Sequence, residues 1–275
     1  MVRMTLLASG SRGNTAILAG SGTSILIDAG ISCRETLRRL MRAGEDPGQL
    51  SAIVITHEHQ DHVSGLAVLA RKLKIPVYIT GHTHQEWQRW VRGPTNGQKQ
   101  LYEDDDKAHL DRCEHFHAGQ KFQIGDIEVL PFTTPHDAAD PVGFVFRTEG
   151  IKIGMATDLG YMPASVKVHL RGCDALVIES NHDLEMLRGG PYPWSVKQRV
   201  MSRVGHLSND SLAEFFTTDY DGGAAFVVLA HLSESNNHPE LARLSAERAL
   251  GGRLSLIQNR LMLASQNEPM EAMRF

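Results

Sequence analysis

Short apolar runs, separated by polar turns that contain glycine or proline, recur along the whole chain. Runs rich in Val, Ile and Leu are typical of buried strands. They predict strands at residues 4–7, 15–19, 24–28, 52–56, 76–80, 126–133, 142–148, 151–157, 174–179, 225–230 and 253–258. Apolar residues three or four positions apart predict helices at residues 33–43, 63–73, 83–91, 194–204, 209–217 and 238–249. This order of elements fits an α/β fold with two sheets covered by helices.

One domain is expected to span residues 1–275, because no internal repeat and no low-complexity linker divides the sequence. A hydrophobic content of 41% is enough for the core of a single α/β sandwich of this length. The polar stretch 92–98, followed by acidic residues at 103–106, is interpreted as a loop within that domain.

Composition excludes several classes of protein. No run of eighteen apolar residues is present, so no membrane span is predicted. Cys33, Cys113 and Cys173 are odd in number and lack Cys-x-x-Cys spacing, which favours free thiols in a reducing cytoplasm. The net charge of −4 does not indicate a general electrostatic surface for nucleic acid. Any contact with nucleic acid would therefore be local.

Four potential metal ligands follow the apolar run 52–56 within six positions: His57, His59, Asp61 and His62. A loop after the strand can fold them around a small volume. Imidazoles and a carboxylate suit Zn²⁺ best, with Mn²⁺ and Fe²⁺ as alternatives. A polar turn in which Asp61 caps the next helix is the other interpretation, but so dense a group of ligand-type residues is rarely a coincidence. The spacing predicts a metal site.

Three further candidate ligands, His136, Asp158 and His231, lie at the ends of apolar strands. Strand ends on one edge of a sheet converge, so these side chains are expected to meet the group that begins at His57. A surface loop histidine remains the alternative for His136, and a helix or turn cap remains the alternative for Asp158.

The spacing His-x-His-x-Asp-His after an apolar strand resembles the motif of the metallo-β-lactamase superfamily. The resemblance implies a four-layer αββα sandwich that holds two divalent metal ions per chain, Zn or Mn with Fe as a further option. It implies one metal bound by His57, His59 and His136, a second bound by Asp61, His62 and His231, and Asp158 as a bridge. An aspartate at the bridging position favours the phosphodiesterase and glyoxalase branches over the β-lactamases.

Asp61 and His206 are predicted to take part in catalysis. Phosphodiesterase members of the superfamily carry a non-ligand histidine shortly before the final ligand, which protonates the leaving oxygen or holds a phosphate. His206 lies in that interval. A loop histidine beside a helix N-cap is the alternative for His206.

Substrate contact is predicted for Ser11, Asn14 and His182. The loop 8–15 can present backbone N–H groups to a phosphate as an anion nest, although a plain hairpin turn fits equally well. His182 follows the strand 174–179 and is placed on the rim of the site, with a structural role as the alternative. Asp28 is expected to orient a ligand histidine.

Two other histidine pairs are interpreted as structural. His82 and His84 form one pair, and His115 and His117 form the other. Neither pair is followed by Asp-His, and the seven residues above already complete the site.

Further local motifs resemble the bacterial YycJ/WalJ group of nucleases: Ala-Ser-Gly-Ser-x-Gly-Asn from Ala8, Glu179–Asp183, Gly205–Asn209 and Leu229–Ser233. This resemblance implies a 5′→3′ double-stranded DNA exonuclease involved in DNA repair, with DNA as its partner. A small-molecule (cyclic) phosphodiesterase is the alternative, and a glyoxalase-II-type thioesterase is less favoured.

Basic residues on three predicted helices could form a DNA track or plain solvated faces: Arg34, Arg38, Arg39 and Arg42; Arg71, Lys72 and Lys74; Lys197, Arg199 and Arg203.

Overall fold

The computed structural model describes residues 1–93, 108–251 and 260–275, and within them the strands form two seven-stranded sheets. The first sheet contains β1 (Arg3–Ala8), β2 (Thr15–Ala19), β3 (Ser24–Ile27), β4 (Leu50–Val54), β5 (Val77–Thr80), β6 (Cys113–Phe116) and β14 (Met273–Arg274). Its order is β14-β1-β2-β3-β4-β5-β6. Strands β3 to β6 pair in parallel, whereas the pairs β14–β1, β1–β2 and β2–β3 are antiparallel.

The second sheet repeats this plan. It contains β7 (Phe122–Ile124), β8 (Ile127–Thr133), β9 (Val142–Thr148), β10 (Ile151–Ala156), β11 (Ala175–Glu179), β12 (Phe226–Ala230) and β13 (Arg260–Leu263). Its order is β13-β12-β11-β10-β9-β8-β7. Strands β10 to β13 pair in parallel, and β7 to β10 pair antiparallel.

Helices connect the strands and cover both sheets. They are α1 (Cys33–Arg42), α2 (Gln60–Val63), α3 (Leu66–Leu73), α4 (Gly81–Arg92), α5 (Ala164–Leu170), α6 (Leu184–Gly189), α7 (Trp194–Val200), α8 (Asn209–Thr218) and α9 (Pro239–Leu250), with a 3-10 turn at Pro47–Gln49. No helix in the described ranges is long and apolar enough to cross a membrane.

Both faces of each sheet are buried, which explains why the strands are apolar runs rather than alternating ones. Successive side chains of a strand point to opposite faces. Ile25 and Ile27 of β3 therefore pack between the two sheets, whereas Leu26 packs with residues of α1, α3 and α4. In the second sheet, Val177 packs between the sheets and Leu176 packs with α5, α8 and α9. The layers are helix, sheet, sheet, helix, and the expected αββα sandwich is confirmed.

Some elements differ from the sequence predictions. The helix predicted at 63–73 begins at Leu66 as α3, and a separate short helix, α2, precedes it at Gln60–Val63. Gly65 lies between them, where a Cβ would be 2.1 Å from the carbonyl oxygen of Ile31. Strand β6 escaped prediction because it is an edge strand with exposed polar residues, Glu114 and His115. The predicted strand 253–258 and most of the predicted loop at 92–106 lie outside the described residues.

Candidate metal centre

The seven predicted ligands are brought together where four strands end. His57, His59, Asp61 and His62 follow β4, and His136, Asp158 and His231 follow β8, β10 and β12. Both sheets therefore supply side chains to one volume. This convergence is the arrangement that the strand-end pattern in the sequence predicted.

One half of the centre is a group of three imidazoles from His57, His59 and His136, whose ligand atoms all lie within 4.8 Å of one another. Nε2 of His136 lies 3.2 Å from Nδ1 of His59. His57 is 1% exposed. Its burial, with a further effect of His62, lowers its pKa well below the usual range, so its imidazole is neutral, the form in which histidine binds a metal.

The other half combines Asp61, His62 and His231. Nε2 of His231 lies 3.3 Å from Oδ2 of Asp61. Asp158 lies between the two halves, with Oδ2 at 3.4 Å from Nε2 of His62 and Oδ1 at 3.7 Å from Nε2 of His136. Asp158 thus occupies the position that a bridging ligand requires.

Backbone conformation at the strand ends directs these side chains. Asp158 and His231 adopt the left-handed region with φ of 59° and 55°, and Asp28, directly after β3, has φ of 58°. Residues other than glycine adopt this region rarely, at a cost of about 1–3 kcal/mol each. Strain of this kind at three converging strand ends is typical of a functional site.

Asp28 lies behind the ligands and is fully buried. Its Oδ2 is 2.7 Å from Nδ1 of His62, and both of its carboxylate oxygens accept from the hydroxyl of Thr56. Burial alone would lower the pKa of His62, but the charges of Asp158, Asp28 and Asp61 raise it well above its usual value. Asp28 therefore makes the predicted contact with a candidate ligand histidine, and it leaves Nε2 of His62 to face the centre.

Glu179, at the end of β11, is a residue of the site that the sequence analysis missed. Its Oε1 lies 2.8 Å from Nδ1 of His206 and 2.9 Å from Nδ1 of His231, while Oε2 accepts from the backbone N–H groups of Leu159 and Leu207. Burial raises the pKa of Glu179, but the charge and hydrogen bond of His206 outweigh it, and the net pKa is well below the usual range. The signal was available, since Glu179 ends an apolar strand as Asp158 does.

A family model described as a β-lactamase superfamily domain matches residues 23–232. This chain belongs to the metallo-β-lactamase superfamily. It is 37% identical over 249 residues to Exodeoxyribonuclease YycJ of Bacillus anthracis, an alignment that covers 90% of this chain and 89% of that protein. It is 35% identical over 243 residues to Exodeoxyribonuclease WalJ of Streptococcus pneumoniae, covering 88% of this chain and 86% of that protein.

A solved structure agrees with the assignment. The metallo-β-lactamase fold protein YhfI of Bacillus subtilis superimposes with a TM-score of 0.68 over 98% of this chain and 100% of that chain. Its sequence is 14% identical to this one, so the likeness shows the fold alone.

The metallo-β-lactamase fold implies divalent metal ions, and the residues of this centre fit them. The donors are imidazole nitrogens and carboxylate oxygens, a set that suits Zn²⁺ and Mn²⁺. Nε2 of His57 and Oδ2 of Asp158 are buried and form no hydrogen bond within the described structure. Buried polar atoms of this kind need a partner, and a cation would satisfy both.

An open pocket of about 320 Å³ gives access to the candidate metal centre. His206 lines it, with its ring centroid 5.1 Å from that of His136 and 5.2 Å from that of His231. Burial lowers the pKa of His206, but the charge and hydrogen bond of Glu179 raise it above its usual value. Since Glu179 takes Nδ1, the other ring nitrogen is available to the pocket.

The three predicted substrate contacts lie in different places. Ser11 is exposed and lines the pocket. Asn14 is 5% exposed and its amide donates to Oδ2 of Asp61 at 3.1 Å, so it supports a candidate ligand. His182 is 1% exposed, and its backbone forms a parallel β-bridge with Ser208. The predicted position of His182 on the rim is therefore wrong, and the geometry of Asn14 favours a supporting role over substrate contact.

The basic residues on the three helices mostly make contacts within the protein. Arg38 and Arg39 pair with Glu35, and Lys197 is buried and donates to backbone carbonyls. Arg199 is the exception within its run, because it lines the pocket, where it pairs with Asp137. The two histidine pairs interpreted as structural do not join this centre.

Proposed function

We propose that this chain is a dinuclear-metal-dependent exonuclease that degrades double-stranded DNA in the 5′→3′ direction and takes part in DNA repair. The observation that carries the proposal is the pairing of His206 with Glu179 beside the seven candidate ligands, on the wall of an open pocket. The names of the relatives YycJ and WalJ support DNA as the substrate. The three free thiols fit a cytoplasmic protein, and residues 1–275 are proposed to work as one domain.

In this proposal, His57, His59 and His136 would hold one divalent cation, Asp61, His62 and His231 would hold the other, and Asp158 would contribute to both. Two bound cations would supply a water of lowered pKa and would neutralise charge on the phosphoryl oxygens. Asp61 is also proposed to serve the reaction, since it lines the pocket and its Oδ2 is held by Asn14 at 3.1 Å and by His231 at 3.3 Å.

His206 is proposed to deliver a proton to the leaving oxygen of the phosphodiester. A general acid must carry a proton at the working pH and face the bond that breaks. Glu179 meets the first condition, because its buried charge favours the protonated imidazole of His206. The pocket meets the second, because His206 lines it together with Asp61 and Asp158.

Arg199 and Ser11 are proposed to bind the DNA backbone. Both line the pocket: Ser11 lies in the loop between β1 and β2, and Arg199 lies in α7. A guanidinium group matches the geometry of phosphate oxygens, and a hydroxyl can donate one further hydrogen bond. Arg199 would exchange its ion pair with Asp137 for a phosphate when DNA is bound. The substrate would thus be held by its backbone, as expected for an enzyme that degrades DNA without sequence preference.

The test is degradation of linear duplex DNA labelled at the 3′ end of one strand, with Mn²⁺ added. Attack from the 5′ end should shorten the labelled strand progressively, whereas attack from the 3′ end would release the label in the first step. Closed circular duplex offers no end and should stay intact. His59→Ala, purified in the same way, controls for contaminating nucleases. Hydrolysis of cyclic or other small phosphodiesters without any of DNA would overturn the proposal in favour of a small-molecule phosphodiesterase.

A further inference from the structure

A second group of ligand-type side chains lies at the edge of the first sheet. It consists of His84 in the first turns of α4 and Cys113 and His115 on β6, and we call it the edge cluster. Nδ1 of His84 lies 3.0 Å from Nε2 of His115 and 3.6 Å from Sγ of Cys113. Residues two apart on a strand point to the same face, so Cys113 and His115 both face the helix.

We propose that the edge cluster binds a Zn²⁺ ion, separate from the metal centre. Imidazole nitrogen and thiolate sulfur are ligands that Zn²⁺ takes in proteins. With Zn–N distances of about 2.0–2.1 Å and a Zn–S distance of about 2.3 Å, tetrahedral coordination places the donor atoms roughly 3.3–3.6 Å apart. The separations of 3.0 and 3.6 Å in the edge cluster are close to these values. A water molecule would complete the four-coordinate shell.

The ion would link α4, which ends at Arg92, to β6, which begins at Cys113. Helix α4 follows β5 directly, whereas β6 begins at Cys113 and pairs in parallel with β5 through Val77 and Cys113 and through Ile79 and His115. Strand β6 is at the edge of the first sheet, where its neighbour in the described structure is β5 alone. A metal bond from α4 to β6 would hold this strand in register, as a cross-link closing the chain between positions 84 and 113.

The donor sets of the two sites differ, so they should select different cations. Thiolate is a soft ligand that favours Zn²⁺, whereas imidazole and carboxylate also accept Mn²⁺. Binding at the edge cluster requires the Cys113 thiol to release its proton to solvent, after which the sulfur donates an electron pair to the cation. Added Mn²⁺ should therefore not displace zinc from the edge cluster.

Cobalt substitution tests this directly, because only a cysteine ligand gives the strong near-ultraviolet thiolate-to-Co²⁺ absorption band. None of the proposed ligands of the metal centre is a cysteine. Protein freed of metal by a chelator and then loaded with Co²⁺ should show the band. Cys113→Ser should abolish it, and the matched control Cys33→Ser should keep it. Absence of the band in the unaltered protein, or its persistence in Cys113→Ser, would overturn the proposal.

A second variant controls for a loss of the absorption band that comes from misfolding of Cys113→Ser. His115 is exposed, so His115→Ala should leave the circular dichroism spectrum unchanged. Elemental analysis should find one zinc fewer per chain in His115→Ala than in the unaltered protein. His117→Ala, at the next exposed histidine along the same segment, should lose none. Equal zinc content in all three proteins would contradict the proposed site.

Discussion

The metal centre and the edge cluster place histidines at comparable distances but surround them differently. In the metal centre, the ligands come from both sheets and buried carboxylates lie behind them, with Asp28 against His62 and Glu179 against His231. The edge cluster uses one sheet and one helix. His84 contacts His115 and Cys113 of the cluster, and its ring stacks on that of Trp87.

The difference indicates two kinds of metal chemistry. Carboxylates behind histidine ligands fix their orientation and raise their basicity, and an open pocket leaves room for a substrate. A thiolate with two imidazoles, supplied by one helix and one edge strand, instead indicates a single zinc ion that would link α4 to β6. If this comparison is correct, substitutions in one cluster should leave the metal content of the other unchanged.

The largest effect is expected for Asp158→Ala. Asp158 contacts both halves of the metal centre, so its removal should lose at least one of the two proposed metals. Since a bound metal contributes several kcal/mol to the transition state, turnover of DNA should fall about 10³-fold or more. Elemental analysis and nuclease assays measure both. The cobalt–thiolate band should be unchanged, and its loss would show that the two clusters are coupled. Full metal occupancy in the variant would remove Asp158 from the site.

His206→Ala should give the next largest effect, and it separates chemistry from metal binding. Loss of a general acid should reduce turnover of DNA by roughly 10²-fold or more, while metal content stays the same. Bis(p-nitrophenyl) phosphate has a leaving group that needs little protonation, so the variant should lose much less activity on it. Equal losses on the two substrates would instead assign His206 to phosphate binding.

The sequence predicted that the seven candidate ligands would meet. Four of them lie within six positions after one strand, and the other three each end an apolar strand, so the convergence of strand ends brings them together. The αββα layers were implied by the resemblance to the metallo-β-lactamase superfamily, and the order of strands and helices only agreed with them. Glu179 was missed although it obeys the same rule, because a carboxylate at a strand end carries no sign of which histidines it will contact.

The edge cluster could not be found in this way. His84 and Cys113 are 29 positions apart, and they meet only because β6 pairs with β5 and α4 follows β5. Strand β6 has a polar sequence, so its existence was not predicted either. In the sequence, these histidines form two close pairs, at 82 and 84 and at 115 and 117. The edge cluster instead takes one histidine from each pair, together with Cys113, so spacing along the chain does not indicate it.

Glu179→Gln should have a moderate effect. The amide cannot carry the charge that favours protonated His206, and its N–H group faces the Nδ1 atoms of His206 and His231. Loss of such a supporting contact typically costs 10–100-fold in metal affinity or activity. A role through His206 predicts non-additivity: in the His206→Ala background, Glu179→Gln should reduce kcat further by a smaller factor than in the unaltered protein. If the two substitutions reduce kcat independently, Glu179 has only a structural role. A shift in the pH profile of kcat in Glu179→Gln is expected only if Glu179 acts through His206.

The smallest effect is expected for His117→Ala, and it tests whether the histidines have been sorted correctly. His117 is exposed, and it lies just beyond the end of β6, outside both clusters. Surface substitutions without a specific contact usually change stability by no more than about 0.5 kcal/mol. The variant should therefore keep its metal content, its cobalt–thiolate band and nearly all of its nuclease activity. A loss of activity comparable to that of His59→Ala would place His117 in the reaction, whereas a loss of the band alone would extend the edge cluster by one residue along the chain.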